Sequence, residues 1–468
     1  VSDVVVVGAG MAGLTCALDL VRAGVDCTVV DGSDGVGGRV RTDAVDGFLL
    51  DRGFQILLCA YPEVQKRLDL AGLELRPFAP GAVVHLDDGF HNLGDPLRRP
   101  SQLPATLAAP VGTLGDKLRL ARLVLADRMR PVGGILRGPD VTTRERLEGL
   151  GFSPRMVRSF WLPLFAGIQL DPDLEVSSRR FDLILRMLAT GPTAVPAGGM
   201  GAVPGQLAAA LPHGTVRLGA RVERLEGTTV VLASGEALSA RAVVVATDGP
   251  EAHRLLGPMV ADPGSRAAAC CWFATAAAPL QGRALALEGT GRGPVRNLAV
   301  LSEVAPSYAP PGHSLVAAAV PGPEALEPGL TGRVTEQLAA PPGPAVRSSP
   351  ARRPGRRALR LRRPSGHGVT AGSDVQRRAH GLCRSALPGR PARWLTGQVA
   401  DRPEWAAGQP LQRSPSQGRW PSREKRATAT VSCSGLEVWF GGTPTRSPRP
   451  AAEAAEFQVD WLNWKAPM

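Results

Sequence analysis

A chain of 468 residues with a formal charge of +12 suggests a polyanion partner, but the excess is local: residues 341–468 carry 22 Lys and Arg against 8 Asp and Glu, and residues 1–340 carry 32 against 34. The near-neutral body is long enough for two domains that bury roughly 75% of their unfolded surface, and nucleic acid is not its expected partner. Seven cysteines without a CxxC pair argue against a metal site and for reduced thiols, and the absence of a signal-peptide pattern or an apolar run of about 18 residues excludes a spanning helix and points to the cytoplasm.

From the amino terminus, "DVVVVGAGMAGLTCALDLVR" reads as strand, tight turn and helix: four valines, a glycine-rich step, then Leu14, Ala17, Leu18 and Val21 on one helical face. Gly8, Gly10 and Gly13 have the GxGxxG spacing, which serves a tight turn, backbone access for a pyrophosphate, and close packing of helix on strand. Met11 and Ala12 open the helix, whose unpaired N–H groups face the phosphates in such a site. A second strand, "DCTVVD", ends in Asp31, 18 residues after Gly13. A carboxylate there accepts hydrogen bonds from ribose hydroxyls and favours a free 2′-OH over a 2′-phosphate. These residues predict a dinucleotide site.

Gly37, Gly38 and Arg39 follow in "DGSDGVGGRVRT", then Asp51, Gly53 and Gln55 in "LLDRGFQ". Here the sequence resembles the FAD-dependent superfamily of flavin amine oxidases, protoporphyrinogen oxidases and carotenoid (phytoene) desaturases. The resemblance covers about residues 2–339. It implies FAD as the cofactor, with Gly37, Gly38 and Arg39 along the pyrophosphate. It implies an α/β fold: a discontinuous, Rossmann-like FAD-binding domain of the GR2 type with a second, α+β substrate domain.

From Tyr61 to about Arg186 the pattern is largely helical with proline-rich breaks. "TLGDKLRLARLVLADRMR" sets Leu114, Leu118, Ala121 and Leu125 on one face. A helix covering a core is the expectation, and a helix lying on a membrane surface is the alternative. "RSFWLPLFAGIQLDPDLEVSSRRFDLILRML" resembles a segment of a bacterial and plant branch of the superfamily labelled amine oxidase or phytoene dehydrogenase-like. Phe160, Trp161, Phe165 and Phe181 within it read first as core and second as the lining of an apolar cavity.

"AVPAGGMGAVPGQLAAAL" begins the return to the cofactor domain, followed by strand signals in "TVRLGARVERLEGTTVVLAS" and "ARAVVVATD". By the resemblance, the backbone at Val222 meets the adenine end, and Ala246 closes the sheet beside the pyrophosphate. Short β-like runs between Ala267 and Pro321 predict the sheet of the substrate domain. Cys270 and Cys271 read as buried packing, and His313 as a loop histidine without a catalytic role. The expected domains are 1–62 and 191–258 for the cofactor, 63–190 and 259–340 for the substrate, and 341–468 as a basic tail.

No metal-ligand or Ser/His/Asp arrangement competes with flavin chemistry, and no residue stands out as catalytic. Amine oxidation in this superfamily typically uses a lysine that holds a water at the flavin. The chain has no lysine between Lys117 and Lys425, where that residue would fall. Hydride transfer from an apolar substrate, as in a phytoene desaturase, is therefore the expected reaction, with dioxygen or another electron acceptor and with peripheral membrane contact left open. Amine or porphyrinogen oxidation is the alternative, and a nucleotide-binding remnant without activity is the rival class.

In the tail, seven of the twelve residues Arg352 to Arg363 are arginine, and Ile and Tyr are absent after residue 340. Apolar periodicity is lost there, so a disordered segment is expected. The superfamily's GD and GA…SG segment, which closes the flavin site, is not found in it. A reading frame shifted near codon 340 of a GC-rich gene accounts for both observations better than an added basic arm.

Overall fold

The structure, a computed structural model, describes residues 2–96 and 98–339 and four short strands beyond them, Gly381–Arg384, Trp394–Thr396, Ala429–Cys433 and Leu436–Gly441. The expectation of a tail without regular structure does not include these strands. The rest of 341–468, with its arginine run, lies outside the described residues. The described residues divide into two units, 2–39, 204–265, 429–433 and 436–441 in the first, and 40–203, 266–339, 381–384 and 394–396 in the second. The crossings thus fall at 39, 203 and 265, where the sequence suggested 62, 190 and 258. The first difference has a plain cause: Phe48, Leu50 and Leu57 are buried in the core of the second unit.

In the first unit, Val216–Arg217, Cys27–Val30, Val4–Val7 and Ala242–Val245 form a parallel sheet in that order, continued by Leu436–Gly441 and Ala429–Cys433 in antiparallel fashion. Val4–Val7 pairs on both edges and is buried on both faces, which explains its uninterrupted valines. Val5, Val7, Val243 and Val245 share a core with Val222, Val230 and Leu232 of an antiparallel meander, Val222–Glu226, Thr229–Leu232 and Ala237–Ser239. Helix Met11–Arg22 covers the other face, burying Leu14, Ala17, Leu18 and Leu20. The result is a three-layer, Rossmann-like arrangement of helix, parallel sheet and meander.

In the second unit, an eight-stranded mixed sheet runs Trp394–Thr396, Gly381–Arg384, Ala268–Thr275, Ser314–Pro321, Asn297–Val300, Leu285–Glu288, Gly81–Leu86 and Gly89–Gly94. The strands predicted between Ala267 and Pro321 are its centre. The last two strands correct the largely helical reading of 61–186: "GAVVHLDDGFHNLG" alternates and turns at Asp87-Asp88 before Gly89, a hairpin signal outweighed by the helical segments after it. Cys270 and Cys271 are buried on opposite faces of one strand, as neighbours on a pleat must be, and both thiols are free. Trp161, Phe165 and Phe181 are fully buried, with Phe165 and Phe181 centroids 4.5 Å apart, so this cluster is packed core.

The helix Leu114–Met129 covers a core as expected, but with Leu123, Leu120 and Val124, not with the face of leucines singled out in the sequence. Leu114, Leu118 and Leu125 are 64%, 68% and 53% exposed, and the inward side chains include Asp116, Lys117 and Asp127. Asp116 and Lys117 are satisfied, and Asp127 is paired through one oxygen while its Oδ2 is buried without a hydrogen-bond partner. Asp116 forms a capping box with Thr113 and accepts the Ser153 amide and hydroxyl at 2.8 and 2.6 Å. Lys117 Nζ donates to the carbonyls of Leu107 and Ala109, both at 2.6 Å, and Asp127 pairs with Arg130 at 3.3 Å.

Candidate functional site

The residues predicted for a dinucleotide converge in the first unit. Gly8 adopts a φ of +108° and donates its amide to the Val30 carbonyl at 2.8 Å, and a Cβ there would stand 2.7 Å from the Ala246 carbonyl oxygen. Only glycine fits that combination. At Gly13 a Cβ would lie 1.8 Å from the Gly8 carbonyl oxygen, so the third glycine is what seats the helix on the turn. At Gly10 an added Cβ would meet nothing within 4 Å. Two glycines are thus required by the protein's own packing, and the middle one borders open space.

Gly10 is also the residue before helix Met11–Arg22. No side chain caps that end and no acid stands in its first turn. The amides of Met11, Ala12 and Gly13 precede the first intrahelical donor, the Leu14 amide, which reaches the Gly10 carbonyl at 3.0 Å, and they carry the positive end of the helix dipole. The loop of Gly37 and Gly38 lies against this turn. The Gly37 amide donates to the Ala9 carbonyl at 2.8 Å, and a Cβ on Gly38 would be 3.5 Å from Gly10 Cα. Arg39 follows with an exposed side chain.

Asp31 ties the site together. One carboxylate oxygen accepts the Ala9 amide and the other the Ser33 amide, both at 2.7 Å. Each oxygen has a second lone pair, so the carboxylate can still accept hydroxyls. The Ala220 amide donates to the Asp31 carbonyl at 2.8 Å, which brings the chain leading to Val222 alongside the end of the second strand. The Val222 carbonyl itself accepts from Arg254 at 2.8 Å. Ala246, whose amide donates to Val7 at 2.8 Å, backs the turn behind Gly8. An open backbone cradle, free helix amides and a carboxylate with spare acceptor capacity fit a dinucleotide such as FAD.

The second unit holds a buried polar cluster that sequence reasoning missed. Asp51, fully buried, accepts from the Thr42 hydroxyl at 2.5 Å, the Met200 amide at 2.8 Å and the Tyr308 hydroxyl at 2.9 Å. The Thr42 hydroxyl in turn accepts the Gly201 amide at 2.8 Å. One carboxylate therefore binds the hairpin Thr42–Val45/Phe48–Asp51 to the "AGGMG" loop and to a residue 257 positions away. Burial raises the Asp51 carboxyl to about 6 although Thr42, Met200 and Tyr308 donate to it. Burial and the Asp51 charge push the Tyr308 phenol far up, so it remains a donor. The available signal was a tyrosine inside an apolar stretch, whose hydroxyl needs a partner when buried. His313 is exposed and stacks edge-on against Phe48 with centroids 6.0 Å apart.

The family model of flavin-containing amine oxidoreductases matches residues 11–340, and the chain belongs to that family, whose cofactor is FAD. The match ends where composition and periodicity change. Among curated proteins, the phytoene dehydrogenase of Streptomyces griseus is 32% identical over 290 residues, 55% of this chain and 56% of that protein. The putrescine oxidase of Kocuria rosea is 46% identical over 85 residues, 18% of each chain. The matches thus span little more than half the length of the first of these relatives and less than a fifth of the second. Among solved structures, an oxidoreductase from Methanosarcina mazei aligns with a TM-score of 0.54 at 16% identity, covering 72% of this chain and 82% of that one, a likeness of fold.

Proposed function

We propose that the chain is an FAD-dependent oxidoreductase that oxidises an apolar substrate. The observation that carries the cofactor assignment is the open space at Gly10 in front of the uncapped start of helix Met11–Arg22. The amides of Met11, Ala12 and Gly13 bind the pyrophosphate, and Gly37, Gly38 and Arg39 hold its other side. Asp31 accepts the ribose hydroxyls, while the backbone near Val222 borders the adenine and Ala246 buttresses the turn. Bound FAD would supply the acceptor for a hydride leaving a substrate carbon, with the electrons passing on to dioxygen or another acceptor.

Two observations favour an apolar substrate. The more extensive of the two curated matches is the phytoene dehydrogenase, and no lysine occurs between Lys117 and Lys425 to hold a water for amine oxidation. The short putrescine oxidase match favours an amine instead. Anaerobic mixing separates the readings: a carotenoid-like polyene bleaches the flavin band and putrescine leaves it unchanged, and the converse result overturns the apolar reading. The cofactor site is tested with Gly10→Ala. Because its Cβ meets no protein atom, the thermal midpoint of the FAD-free protein should stay that of the FAD-free wild type while FAD retention weakens roughly tenfold or more. Unchanged retention would remove Gly10 from the site.

A further inference from the structure

We propose that the outward face of helix Leu114–Met129 docks on an anionic lipid surface, an inference that stands whether or not the substrate is apolar. Leu114, Leu118, Ala121, Arg122, Leu125 and Met129 recur at helical spacing and are all exposed, and the four large apolar ones are 53% to 75% exposed. The preceding helix, Leu103–Ala108, adds Leu107 at 45%. Single exposed leucines are ordinary on a protein surface, but a stripe along the whole of a 16-residue helix, about 24 Å, is not.

Charge selects what covers the stripe. The exposed charged side chains of this helix are Arg119, Arg122 and Arg128, and its acids, Asp116 and Asp127, are fully buried. The outward face is therefore apolar and positive. Such a face suits the interface of an anionic bilayer, with leucines at the acyl boundary and guanidinium groups at the phosphates. A second copy is a poor occupant, because the stripe is centred on residues 121–122 and a two-fold pairing would set Arg122 against its own copy. Residues 341–468, with 22 Lys and Arg against 8 Asp and Glu, would bring like charge to the arginines. No helix among the described residues is long and apolar enough to cross a membrane, so the helix lies in the plane of the interface.

The test is flotation of the full chain with phosphatidylcholine vesicles containing phosphatidylglycerol, at low and high salt. The wild type should float with these vesicles and keep part of its binding at high salt. The double variant L118E/L125E should bind roughly tenfold less or weaker still, with an unchanged circular dichroism melt, since both side chains are already exposed. Arg122→Glu should lower binding at low salt and leave less of it for added salt to remove. Vesicle binding that high salt abolishes and that L118E/L125E leaves untouched would assign it to the basic tail and overturn the proposal. So would a wild type that stays unbound, or one that sediments as a dimer which L118E/L125E dissociates without altering vesicle binding.

Discussion

Helix Met11–Arg22 buries Leu14, Ala17, Leu18 and Leu20 against a parallel sheet, whereas helix Leu114–Met129 turns Asp116, Lys117 and Asp127 inward and leaves most of its leucines in the open. Both are regular helices with an apolar stripe. The difference lies in what the inward groups find. Leu14 meets an apolar sheet face, while Asp116 meets two donors on Ser153 and Lys117 meets two carbonyls, and only Asp127 Oδ2 is left without a partner. A polar interior is tolerated when most of its groups have partners, and the apolar face is then free to serve a surface.

The largest effect expected from this contrast is at Leu14. Leu14→Ala removes a side chain with no exposed surface and should cost about 2–5 kcal/mol, read as a lowered midpoint in urea unfolding. A loss below about 1 kcal/mol would mean that the helix is not seated on the sheet as described.

Next comes Asp51, an inward carboxylate of the opposite character to Asp116. Its pKa is raised from 3.8 to about 6, so its contribution to stability is fully present below pH 3.8 and is lost as the pH rises through 6. The loss approaches about 3 kcal/mol above that window. Asn at this position still accepts from Thr42 and Met200 and can donate to the Tyr308 hydroxyl. Asp51→Asn should therefore be more stable than the wild type at neutral pH and flatten the stability profile between pH 3.8 and 6. Asp127, also raised to about 6 by burial and the charge of Asp182, keeps part of that slope. Unfolding curves across this range check the sign, and a variant that is less stable at every pH would show that the negative charge is needed.

Asp116 behaves the other way. Burial pushes its carboxyl up, but Ser153 and Thr113 donate to it and hold it at about 2, below the ordinary 3.8. Its stabilisation is present above pH 3.8 and disappears as the pH falls through 2. Asp116→Ala should cost about 2 kcal/mol at neutral pH by leaving the Thr113 and Ser153 amides without acceptors. Thermal melts at neutral pH should show a clear fall in midpoint, and an unchanged midpoint would mean that solvent replaces the carboxylate.

The cofactor half of the molecule was legible because its requirements are local. Gly8, Gly10, Gly13, Asp31, Gly37 and Gly38 lie within 31 residues, and Gly8 and Gly13 answer to backbone constraints that only glycine meets. The meander and the central strands of the large sheet were legible for the same reason, as short alternating runs bounded by turns. The Asp51 cluster was not, because Thr42, Met200 and Tyr308 are joined only by the fold, and no spacing rule links positions 257 residues apart. The hairpin that begins with Gly81–Leu86 has its signal in the Asp-Asp-Gly turn, which the longer helical segments after it outweigh.

The least legible choice was the orientation of helix Leu114–Met129, since periodicity reveals a stripe and says nothing about its cover. Leu118→Ala makes the smallest and most pointed test. The side chain is 68% exposed, so its truncation creates no cavity and should change stability by no more than about 0.5 kcal/mol in urea unfolding. The chemical change is the same as in Leu14→Ala, and the two costs should differ severalfold because only one side chain has neighbours on every side. If Leu118→Ala proved as costly as Leu14→Ala, the leucine stripe would be buried in the folded protein, and the surface assigned to lipid would be an internal face.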